Sequence, residues 1–190
     1  MAGILIGRNL EHLKSGIATA KESWKALEAR GFTLGAEEVS GLAGASGKER
    51  PLLTGDAGGC ALEVRVLSDF VHYARTEVAA KPVKGVDAFV GVHPSPGGVM
   101  GYLHSWLGQD IQIGDEAFDA GYLITGKPES AAVALLVPSV RDLVVALGPK
   151  LAGLTYDKER VAVVLHGVET DAALLGAAIE LASAAATWGG

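Results

Sequence analysis

Between Leu10 and Arg30 the apolar residues Leu10, Leu13, Ile17, Ala20, Trp24 and Leu27 recur at alternating intervals of three and four, the repeat of one helix face. Asn9 offers a side-chain oxygen to the first free backbone N–H groups, and Gly31 suits the left-handed position beyond the last turn. The spacing therefore predicts a helix between those two residues. Farther on the period drops to two. Leu62, Val64 and Val66 alternate with Ala61, Glu63 and Arg65, which predicts a strand over Cys60 to Leu67 with one covered face. Phe32 to Leu34, Phe70 to Val78, Val86 to Val92, Val99 to Leu107, Asp110 to Ile113 and Tyr122 to Thr125 read as further extended segments. Short strands without long helices between them favour an antiparallel sheet over repeated strand–helix–strand units.

The last third changes character again. Ser130 to Leu136 reads as a short helix. Pro138 opens another, with Val140, Leu143, Val144 and Leu147 as its stripe and Gly148 as its stop. Leu151 to Tyr156 and Arg160 to His166 form a hairpin around Asp157-Lys158-Glu159. Thr170 is the expected N-cap of a final helix whose narrow polar stripe is Gly176, Glu180, Ser183 and Thr187. The expected fold class is α+β: a mostly antiparallel sheet with an N-terminal amphipathic helix and C-terminal helices packed on it. Residues 1–190 read as one domain, and the glycines between residues 41 and 59 predict a flexible loop.

Composition narrows the function classes. Hydrophobic residues make up 49% and charged residues 20% of the 190, so the chain can bury a core. A formal charge of -6 with no dense Lys/Arg run argues against nucleic acid or an anionic membrane as the main partner. Cys60 is the only cysteine, which rules out an intrachain disulfide. The N-terminal apolar run lacks a basic region before it and a cleavage site after it. The apolar stretch Ala172 to Trp188 is too short to span a bilayer and contains Glu180. The cytoplasm is the expected compartment.

No motif for covalent, metal or nucleotide chemistry stands out. A phosphate loop ending at Gly47-Lys48 would need glycine where Leu42 stands and a hydroxyl where Glu49 stands. His12, His72, His93, His104 and His166 show neither His-x-His nor His-Glu-x-x-His spacing, so no metal site is expected. Cys60 reads as a small buried hydrophobe, and Trp24 as core. Asp115 and Asp119 would share one face of a helical turn. They suit magnesium, but the preferred reading makes Asp115 a helix cap with Phe118 turned inward, since so short a run lacks the further oxygen ligands a divalent ion needs. Tyr102, His104 and Trp106 alternate so as to share one side of a strand. No catalytic residue and no cofactor are assigned. The preferred reading is a structural or protein-interaction domain, with self-association or a protein partner. Its rival is a small-ligand-binding protein or hydrolase with a pocket drawn from Asp115, Asp119, His104 and Trp106.

The run Gly114-Asp115-Glu116-Ala117-Phe118-Asp119-Ala120-Gly121-Tyr122-Leu123-Ile124-Thr125-Gly126, followed by Leu135-Leu136-Val137-Pro138-Ser139-Val140-Arg141-Asp142-Leu143, resembles a recurring family of uncharacterised bacterial α+β domains. The resemblance covers roughly the last 80 residues and implies a turn that joins sheet to helices, with the helix after Pro138 packed on the sheet. It implies a fold and carries over no catalytic residue.

Overall fold

The N-terminal apolar repeat does form a helix, but one that begins well before Asn9. In the computed structural model, which describes residues 2–39, 48–69, 73–95 and 110–189, α1 runs over Ala2–Trp24 and tightens into a 3-10 turn at Lys25–Arg30. Asn9 is therefore interior and not a cap. A lone asparagine costs a helix at most about 0.7 kcal/mol relative to alanine, so continued hydrogen bonding can outweigh it. Gly31 ends the segment as expected, at φ 87°.

Eight strands follow among the described residues: β1 (Thr33–Val39), β2 (Lys48–Ala57), β3 (Cys60–Asp69), β4 (Tyr73–Ala80), β5 (Phe89–Pro94), β6 (Tyr122–Lys127), β7 (Leu151–Tyr156) and β8 (Val161–His166). They make one sheet in the order β1-β2-β3-β4-β8-β7-β5-β6, and every neighbouring pair is antiparallel. The helices are α2 (Glu116–Gly121), α3 (Glu129–Leu135), α4 (Pro138–Leu147) and α5 (Ala172–Ala186). The expected α+β class, with an antiparallel sheet, an N-terminal helix and C-terminal helices, is the observed one.

The glycine-rich loop expected over residues 41–59 is corrected. Residues 48–57 are strand, and 41–47 lie outside the described residues. Gly55 misleads because it is a packing glycine: a Cβ there would come within 2.6 Å of the Phe32 ring. Only Gly58 and Gly59 make a turn, with φ of 59° and 81°, the doubly positive geometry of a tight hairpin. Asp110 to Ile113 is not a strand either. Ile111 donates its N–H to the Ile124 carbonyl, and the Asp110 carboxylate accepts the Ile124 N–H, so the segment lies along the outer edge of β6. Val99 to Leu107 and residues 70–72 fall outside the described residues.

The core occupies one face of the sheet. Leu53, Val64, Val78, Val163, Leu154, Val92 and Ile124 are all fully buried and sit in register across seven strands. α5 covers the middle of that face with Leu175, Ala178, Ile179, Leu181, Ala182 and Ala185 buried. Asp171, not Thr170, caps it, accepting the N–H groups of Ala173 and Leu174. No single helix among the described residues is long and apolar enough to cross a membrane. α3 and the segment from Pro138 to Lys150 reach that composition only together, across an 80° bend.

A buried polar junction fixes α1 to this body. Trp24 has no solvent exposure, and its Nε1–H donates to the Glu169 carbonyl at 2.9 Å. Thr76 Oγ1 accepts the Glu169 N–H and donates to the Gly167 carbonyl. Oε1 of Glu169 accepts the N–H groups of Thr170 and Asp171, while Oε2 lies 3.3 Å from Lys150 Nζ. Replacing Trp24 by alanine is expected to cost about 3–5 kcal/mol through the cavity. Phenylalanine keeps most of the packing but orphans the Glu169 carbonyl, an expected loss of about 1–3 kcal/mol. Urea unfolding followed by far-ultraviolet circular dichroism measures both.

Tyr156 is buried against Trp188, edge to face at 4.8 Å, and its hydroxyl accepts the Val86 N–H at 2.9 Å. Burial pushes its pKa above the ordinary 10.0; Asp157 adds to the shift and the Val86 N–H opposes it. The folded value exceeds the unfolded one. The contribution of Tyr156 to stability is therefore complete below pH 10 and is lost as pH rises through the folded value. Between pH 10 and the folded value, unfolding free energy measured against pH should fall less steeply in Tyr156→Phe.

Candidate interaction surface

The acidic turn after Gly114 is built from its own carboxylates. Asp115 caps α2, its Oδ1 accepting the Phe118 N–H at 3.2 Å and its Oδ2 lying 3.4 Å from Arg141 Nη1. Asp119 accepts three backbone N–H groups, from Ile113 at 3.1 Å, Gly114 at 3.1 Å and Asp115 at 3.2 Å. Phe118 is buried beneath and stacks on Tyr122 at 4.6 Å. Both carboxylates thus serve the turn. The other two residues of the four-residue pocket, His104 and Trp106, lie outside the described residues, as does Tyr102.

The histidines are dispersed. His93 is exposed, with Nδ1 3.3 Å from the Ala152 carbonyl, and His166 is exposed at the end of β8 opposite Arg75. His72 lies outside the described residues, and His12 falls within α1. Cys60 is buried, its thiol donating to the Ala57 carbonyl. Among the described residues no three His, Cys, Asp or Glu side chains are grouped to hold a metal ion.

What sequence reasoning missed is the sheet face opposite the core, at its β1–β3 end. Pairing sets Thr33, Thr54 and Glu63 in one row across three strands, with Gly35, Leu52 and Arg65 in the next and Glu37 and Arg50 in a third. A shallow groove of about 500 Å³ follows the first row and is lined by Gly31, Thr33, Thr54, Asp56, Ala61 and Glu63. Arg65 spans Glu63 at 2.7 Å and Glu77 at 3.4 Å, and Arg160 holds the same Oε1 of Glu77. Arg50 turns from Glu37 to the Val66 carbonyl and the Ser68 hydroxyl. Glu37 and Asp56 are left without a hydrogen bond or ion pair among the described residues. The only signal in the sequence was the polar phase of the alternation in β3, which shows a solvated face but not its neighbours.

These features define an α+β protein whose antiparallel sheet carries its helices on the core face. No protein-family model matches the chain, and no curated protein matches it. Among solved structures it is similar to the crystal structure of the mycobacterial trehalose monomycolate transport factor A, TtfA, with a TM-score of 0.58 and 12% identity. The likeness covers 90% of this chain and 93% of that one. At that identity it shows the fold.

Asp119→Ala is expected to destabilise the chain by about 2–3 kcal/mol, because three N–H groups lose a charged acceptor. Asp115→Ala should cost about 1 kcal/mol, the usual value of a lost N-cap. Denaturant midpoints of the two variants check the order.

Proposed function

We propose that the chain is a non-catalytic protein-interaction module that makes contact through the open sheet face over β1 to β3. The observation that carries the reading is two carboxylates without a partner among the described residues: Asp56, in a groove floored by hydroxyls and backbone, and Glu37, two rows along the same face from Thr33. Asp56 is exposed and Glu37 half-buried, and with no partner among the described residues both are free to meet a charge brought from outside. The description of the structural neighbour as a transport factor is compatible with a helper that works by contact. The cytoplasm is the proposed compartment, on the single cysteine, and cell fractionation tests it.

A photo-crosslinking residue at the exposed position of Ala61, in the full chain in its native cell, should yield a protein adduct of discrete mass. The same residue at Ser139, on the outside of α4, should not. An adduct of twice the chain's mass would identify a second copy as the partner. Ala61→Arg should change stability by no more than about 0.5 kcal/mol. Identical adduct patterns at the two positions, or none at Ala61, would overturn the reading.

A further inference from the structure

The sheet has two ends, and they differ. The outer edge of β6 already bonds to Asp110 and Ile111. β1 pairs over its whole length with β2, from Thr33↔Thr54 to Val39↔Lys48, and no described strand lies on its other side. Every second residue of such an edge turns its N–H and carbonyl outward, which is a template for another strand.

Charge then selects the occupant. β1 reads Thr-Leu-Gly-Ala-Glu-Glu-Val, with Glu37 on the open face together with Thr33 and Gly35. Gly31 continues that row beside Asp56 in the groove, and a side chain placed on Gly31 would meet nothing within 4 Å. A long cationic side chain on an added strand can therefore pass over Gly31 toward Asp56. The distance is two strand spacings, about 10 Å, roughly the combined reach of an extended arginine and an aspartate. A second copy of β1 brings no cation and sets glutamates near glutamates, which disfavours self-pairing.

We propose that β1 accepts an extended basic segment of a partner protein as a ninth strand, with its alternate arginine or lysine side chains paired to Asp56 and Glu37. The inference rests on the reading of this face as an interaction surface and adds the mode of contact and the chemistry of the partner. Main-chain hydrogen bonds supply the register, and the two carboxylates supply the preference for positive charge.

The test uses the full chain and fluorescein-labelled ten-residue peptides that alternate arginine with valine or threonine. Matched peptides carry glutamate for arginine, or N-methyl groups on alternate backbone amides. Fluorescence anisotropy should detect the arginine peptide and not the glutamate one. N-methylation on the pairing side should weaken binding about tenfold or more, and Glu37→Gln with Asp56→Asn should weaken it roughly fivefold. Both substitutions are isosteric, one at exposed Asp56 and one at half-buried Glu37, and circular dichroism verifies that the variant is folded. Amide exchange should slow in Thr33–Val39 when peptide is bound. No binding, equal binding of the N-methylated or glutamate peptide, or protection confined to other strands would overturn the proposal. The two readings can fail separately: an Ala61 adduct without peptide binding defeats only strand addition, whereas peptide binding without that adduct defeats the cellular role of the face.

Discussion

The close seating of α5 on one face of the sheet governs this structure. A helix can lie that near to a β-surface only where its side chains are small, and Ala178, Ala182, Ala185 and Ala186 supply that contact, with Leu175, Ile179 and Leu181 filling the space around them. The same helix receives the rest of the chain. Arg30 lies over Gly176 and pairs with Glu180 at 3.1 Å, which brings the end of the N-terminal helical segment onto it. Ser183 donates to the Ala57 carbonyl at the β2–β3 turn. Just ahead of the helix, Glu169 ties Trp24, Thr76 and the first turn together. With the core gathered on that side, the opposite face at the β1–β3 end is left to water and charge.

Much of this was legible from periodicity. The alternation in β3, the stripe of α4 with Pro138 and Gly148 at its ends, and the hairpin around Asp157 each follow from a local rule that tertiary context did not override. The failures share one cause: a residue type with two uses. Glycine's tendency to break strands points to a loop at Gly55, yet here its missing side chain makes room for Phe32 from a neighbouring element. Asparagine's preference for caps points to a helix start at Asn9, yet α1 already continues upstream of it. Thr170 and Asp171 are both cap residues, and the choice between them depends on Glu169 accepting both of their N–H groups, a contact invisible to spacing.

The candidate surface was less legible than the fold, for a physical reason. Asp115 and Asp119 stand out in a linear reading because they lie close together, but closeness along a turn is also what lets a carboxylate cap the turn's own N–H groups. Glu37 and Asp56 sit on different strands with nothing local to mark them. Only the register of β1 on β2 brings their strands side by side, and only the departure of Arg50 toward Val66 and Ser68 leaves Glu37 without a partner among the described residues.

The strand order has a consequence for how the chain emerges during synthesis. β4 is joined to its second neighbour across a long stretch of sequence, Val78 lying beside Val163, and nearly everything between them must be translated first. Until β8 leaves the ribosome, the nascent N-terminal meander has a bare apolar flank where the centre of the finished sheet will be. Such delayed, non-local closure slows folding and exposes intermediates to aggregation, so it is the β4 flank that a chaperone would have most cause to shield.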